Sequence, residues 1–154
     1  MATLLQLVQG TRKVVDTSFK RASLPQEKLK ISQVNVMSLK GMKVKHITAL
    51  IDSATEDGKK YKIWMIFTGL DNPGKEKPST SKTRVYVRCN CLGYYFYFSY
   101  ANKINKSLAG IPMRPYQRVK PDSGRPPLNP KTLPGSCKHL IFATVELLKM
   151  GLIK

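Results

Sequence analysis

Two short motifs, Cys89-Asn-Cys91 and Cys137-Lys-His139, bracket 45 residues that contain seven prolines. Residues 101–136 carry those prolines together with several Arg and Lys and almost no hydrophobic periodicity. A structureless segment of that length inside a domain needs something to tie it down. The bracketing motifs hold all three cysteines of the chain. Cys89 and Cys91 are too close to bridge each other comfortably, and an odd cysteine count argues against a disulfide framework. Three thiolates and an imidazole are instead the donors that a tetrahedral zinc ion takes. We therefore expect one zinc ion on Cys89, Cys91, Cys137 and His139, closing the proline-rich loop, in a chain that folds in a reducing compartment. With four protein donors no position is left for water, which makes the expected site structural rather than catalytic. Arg88 and Lys138 adjoin it in sequence and are expected to moderate its net negative charge. His46, the other histidine, falls within a strand pattern and is read as a strand residue.

The rest of the chain reads as α+β. Leu4, Val8, Val15 and Phe19, with Leu5, Leu7 and Val14 beside them, predict an amphipathic helix over residues 2–22, weakened at Gly10 and stopped at Leu24-Pro25. Residues 29–42 hold short apolar pieces (Ile31, Val34, Val36, Leu39) that fit no single element type. Residues 43–52 and 60–68 read as strands joined by a hairpin at Asp57-Gly58. Tyr61, Ile63, Met65 and Phe67 share one face of the second, and Trp64 and Ile66 imply burial of the other face too. Residues 71–82 read as an exposed Pro/Gly/Ser/Lys loop. Strands are predicted over 83–89 and 92–100, the latter with Tyr94, Phe96, Phe98 and Tyr100 on one face, so that 89–91 is a tight turn between them. Leu140, Ile141, Val145, Leu148 and Leu152 predict a final helix that ends near Gly151. The expected architecture is a small antiparallel sheet of about four strands, a C-terminal helix, a zinc-stapled loop and an N-terminal helix or arm. The division is 1–28 for the arm and 29–154 for the stapled domain.

Charge is the dominant global property. Twenty-seven Lys and Arg against nine Asp and Glu give +18, distributed as +7, +3 and +8 over residues 1–50, 51–100 and 101–154. Such a chain seeks polyanions, whether nucleic acid, an acidic protein surface or anionic lipid. Arg114, Arg118, Lys120, Arg125 and Lys131 on the proline-rich loop are the candidates for phosphate or partner contact. No apolar run reaches the roughly 18 residues of a membrane-spanning helix, so no membrane partner is expected. Paired carboxylates in a cleft context, a glycine-rich phosphate loop and H-E-x-x-H are all missing from the sequence, and no enzymatic activity is expected.

The Cys-x-Cys…Cys-x-His order over roughly residues 83–150 resembles the SWIM-type zinc motif, although the pairs lie farther apart here than in ordinary SWIM modules. Val87-Arg-Cys-Asn-Cys91, the aromatic run 94–100, Asn129-Pro130 and Gly135-Ser-Cys-Lys-His-Leu140 are together similar to SWIM-like proteins of tailed bacteriophages. The resemblance implies a strand–strand–helix order around the zinc. It also implies a non-enzymatic virion component of head, neck or tail, folded in the host cytoplasm and oligomeric among other virion subunits. The alternative is a basic zinc module that binds nucleic acid non-specifically through phosphates.

Overall fold

The computed structural model describes residues 2–14, 29–53, 56–112, 114, 129 and 131–154. The elements run α1 (Leu4–Val14), β1 (Lys30–Leu39), β2 (Val44–Asp52), β3 (Lys60–Phe67), β4 (Val85–Cys89), α2 and α3 (Lys138–Lys149). In α2, a π turn over Tyr95–Ser99 separates α-helical Leu92–Tyr94 from α-helical Tyr100–Ile104. The four strands form an antiparallel meander in the order β1-β2-β3-β4. The α+β architecture with a helix at each end is the one the sequence implies.

Alternation sets the faces of the sheet. Ile47, Ala49 and Ile51 of β2, Ile63, Met65 and Phe67 of β3, and Val85, Val87 and Cys89 of β4 are all buried on one face. Leu4 and Leu7 of α1, Tyr94 and Phe98 of α2, and Leu140, Ala143 and Leu147 of α3 complete the same core cluster. At about 25 cal/mol per Å² of apolar area removed from water, this single cluster is the main driving force of the fold. The opposite face differs from expectation. Trp64 and Ile66 are half-exposed there, because among the described residues the helical core residues all gather on the first face.

The fourth strand lies elsewhere than the aromatic run suggests. It is β1, pairing with β2 from Lys30↔Asp52 to Leu39↔Val44. Residues 92–104 are helical, and the buried positions Tyr94, Phe98, Ala101 and Asn102 follow helical spacing rather than period two. An unbroken aromatic run has high strand propensity but carries no alternation, so tertiary packing decides its state. The π turn adds one residue to its turn of helix and brings Ser99 and Asn102 to the core side with Phe98. Residues 89–91 are consequently a strand-to-helix junction. The free side of β4 is closed by two short segments. Val87 N–H donates to the Ser107 carbonyl at 2.8 Å, and Val85 N–H donates to the Ala2 carbonyl at 3.0 Å.

The α1 stripe is Leu4, Leu7 and Thr11, and the predicted continuation through Val15 and Phe19 lies outside the described residues. The 71–82 loop is tied at its far end. Leu5 N–H donates to the Thr80 carbonyl at 2.9 Å, and Thr80 N–H donates to the carbonyl of Lys154 at 2.7 Å. In α3, His139, Leu140, Ala143 and Leu147 face inward while Val145 and Leu148 are exposed. This helix is rotated from the predicted stripe, and the inward placement of His139 fixes that rotation.

Gly10 shows how tightly the layers meet. A β-carbon built there would stand 2.1 Å from the carbonyl oxygen of Pro134. On an exposed helix Gly→Ala would raise stability by about 1 kcal/mol. Here Gly10→Ala must push α1 off the 133–137 segment, and we expect a loss of roughly 1–3 kcal/mol in urea denaturation. A higher midpoint than the parent's would show that α1 is not seated on this segment in solution.

Candidate metal centre

Four donors from three elements converge on one point. Cys89 is the last residue of β4 and faces the core. Cys91 is the N-cap of α2, its Sγ accepting the Tyr94 N–H at 3.3 Å. Cys137 is the extended N-cap residue of α3, with φ −75° and ψ 170°. His139 follows within the first turn of that helix. The Nδ1 of His139 lies 3.8 Å from the Cys89 Sγ and 4.0 Å from the Cys137 Sγ. All four donor atoms lie within 4.8 Å of one another, and all four residues are buried. A tetrahedral ion bound to sulfur at about 2.3 Å needs donors roughly 3.7 Å apart. The group therefore fits a metal ion with little movement, and among the described residues it is the one such group. The cysteines are free thiols, not bridged to one another.

The segment that delivers Cys137 is held by buried polar side chains. Asn102 is 0 % exposed. Its amide Nδ2 donates to the Gly135 carbonyl and to the Tyr94 hydroxyl, both at 2.9 Å, and its Oδ1 accepts the Gly135 N–H at 3.0 Å. The Tyr94 hydroxyl in turn donates to the Val87 carbonyl at 2.9 Å. On the other side, the Thr11 hydroxyl accepts the Ser136 N–H at 2.7 Å. Gly135 is forced by space, since a β-carbon would come 2.3 Å from the Phe98 ring. Farther back, Asn129 Nδ2 donates to the Tyr97 and Leu133 carbonyls, both at 2.9 Å. Each bond satisfies a group whose burial unpaired would cost about 1–3 kcal/mol. The ring of His139 stacks on Tyr61 at 4.3 Å, which fixes its plane.

Electrostatics agree with a cation-binding role. Burial pushes the Cys89 and Cys137 thiols above the ordinary cysteine range. Cys91 moves the other way, because Cys137, then Cys89 and His139, hydrogen-bond to its thiolate. Burial thus opposes ionising all three sulfurs together, and a bound cation would offset that cost. Two helix N-termini, those of α2 and α3, meet at the pocket and stabilise anionic sulfur. They do what the sequence assigns to Arg88. That side chain leaves β4 on the opposite face, where its guanidinium donates to the Ile111 carbonyl.

The four predicted ligands are thus brought together. Of the predicted partner or phosphate contacts, Arg114 and Lys131 are exposed, while Arg118, Lys120 and Arg125 lie outside the described residues. Sequence reasoning misses Tyr61, Asn102 and Thr11 as supports of the site, and only the inward position of Tyr61 on β3 was visible in the alternation. No protein-family model, curated protein or solved structure matches the chain.

Above about pH 8.5, loaded and metal-free protein should respond to pH with opposite sign. Cys89 and Cys137 have folded pKa values above their unfolded values, so without metal the folded state holds the extra protons. Above about pH 8.5, where the unfolded thiols ionise, the metal-free protein loses stability as pH rises. Bound metal requires thiolates, so the loaded protein loses stability as pH falls and protons compete for sulfur. Thermal melts of both forms from about pH 8.5 upward check this. Below that pH the lowered Cys91 thiol makes the metal-free form also lose stability as pH falls. A metal-free protein that does not lose stability above that pH would overturn the reading.

Proposed function

We propose that this chain is a non-enzymatic, zinc-stapled structural subunit of a larger assembly. On the SWIM-like pattern of its ligands, that assembly is the virion of a tailed bacteriophage, in its head, neck or tail. The observation that carries the reading is the closed set of four buried donors, Cys89, Cys91, Cys137 and His139. Three sulfurs and one nitrogen at tetrahedral spacing favour zinc among divalent ions. A site whose every position is a protein side chain supplies stability rather than a reactive water. The ion would join the end of β4 and the start of α2 to the start of α3 across the 45 residues between Cys91 and Cys137. Its binding energy would then be folding energy for the C-terminal third of the chain.

A structural role also fits the surface. The chain carries +18, which suits a subunit that packs against acidic neighbours or lies along packaged nucleic acid. Exposed Arg114 and Lys131 favour a second reading, a basic zinc module that contacts phosphates without reading sequence. On the first reading, the protein works in the particle after folding in the host cytoplasm, oligomeric among other virion subunits.

Elemental analysis of the dialysed protein should find one zinc per chain, and Cys137→Ser should lose it. The same variant should become protease-sensitive between residues 129 and 149. Mass spectrometry of purified particles should find the chain at fixed copy number. A chain that keeps its zinc but is missing from particles would overturn the virion role and leave the staple standing. A chain without zinc would overturn both.

A further inference from the structure

The sheet has a second face, and its chemistry differs from the first. Register places His46 across from Ile66 and Ile66 across from Tyr86 in one row, with Trp64 across from Thr48 and Arg88 in the next. Trp64 is therefore the diagonal neighbour of both His46 and Tyr86, a separation of about 7–8 Å in an antiparallel sheet. All three rings are half-exposed. The Lys62 ammonium sits 5.2 Å from the centre of the Trp64 ring. On this face the strands carry Lys30, Lys60, Lys62 and Arg88 against one carboxylate, Asp52. Asp52 is already engaged by Lys60 at 3.1 Å.

Flat rings at the centre with an excess of cations over carboxylates around them suit a ligand that is both planar and anionic. A purely apolar partner would leave Lys62 and Arg88 facing hydrocarbon, which is costly without a counter-charge. A duplex offers phosphates but hides the faces of its bases. An unpaired strand offers both, since every base has a π-face and every nucleotide a phosphate. We propose that the outer sheet face, centred on Trp64, Tyr86 and His46 and edged by Lys62 and Arg88, binds single-stranded nucleic acid. Bases stack on the rings, and phosphates lie on the cations. These rings lie on the face of the sheet opposite Cys89 and the metal centre, and the site does not depend on the virion role.

Trp64 is the only tryptophan of the chain, so its emission reports this face directly. The full-length protein is titrated with an oligothymidylate of about 15 nucleotides, the upper end of a single-fold site size. We expect strong quenching of Trp64 and an affinity that falls steeply as salt is raised. Tyr86→Leu should weaken binding about tenfold, the effect of losing one stacked base, with metal content unchanged. Anisotropy of a labelled oligonucleotide runs in parallel. Binding without a change in Trp64 emission would overturn the proposal and move the contact to another basic surface. A duplex that binds as tightly as the single strand would overturn the stacking. An acidic peptide that quenches Trp64 as well as the oligonucleotide does would assign the face to a protein partner. No binding at about 50 mM salt would dispose of the site altogether.

Discussion

Everything in this fold is arranged around the point where β4 ends and two helices begin. Cys89 and Cys91 stand on either side of a strand-to-helix junction, and Cys137 and His139 open the final helix. A metal ion bound there would constrain three directions at once: the end of the strand, the axis of α2 and the rotation of α3. Hydrophobic burial alone would not specify the last of these. The apolar residues of α3 spread around the helix, with Leu140 and Leu147 buried but Val145 and Leu148 about two-fifths exposed. Turning His139 inward picks one face among several of comparable hydrophobicity.

The junction also explains the polar content of the core. Asn102, Ser107 and Thr11 are all buried, an unusual set for a small domain. Each one meets the backbone of an irregular segment that leads toward a ligand or along β4. Extended chain inside a protein exposes N–H and C=O groups that no ladder satisfies, and side chains must supply the partners. Asn102 does this for both polar groups of Gly135, taking the place of a neighbouring strand. The proline-rich stretch cannot make such a ladder itself, since each proline lacks a donor. Order in its last residues comes from α1 and α2 together with the ligand cluster.

How legible this was in the sequence depended on how local each signal is. β2, β3 and β4 were legible because their core face alternates residue by residue. β1 was not, because it is an edge strand whose residues are largely exposed, and exposure erases the alternation that identifies a strand. The helix at 92–104 was misread because residues 94–100 contain six aromatics and one serine, a run that fits either period. The grouping of Cys89, Cys91, Cys137 and His139 was legible, since thiolate and imidazole spacing is written within three residues at each end. Their supports were not. Thr11 and Ser136 are 125 residues apart, and Asn102 and Gly135 are 33 apart, separations at which sequence pattern carries no pairing information.

A single centre that draws α2 and α3 to one side has a consequence for the other. α1 joins them there through Thr11 and Gly10 against residues 134–136. One face of the sheet is then saturated with helix while β2, β3 and β4 present a half-exposed surface on the other. In a chain of +18, self-repulsion opposes compactness, and cations are best placed where no other part of the protein must approach them. On the outer face Lys62 is exposed, while Lys60 pairs with Asp52 and Arg88 meets the Ile111 carbonyl. Cluster and surface chemistry are in this sense one design: the sulfur-rich pocket lies where the described helices meet, and charge that cannot be buried with them remains on the opposite face.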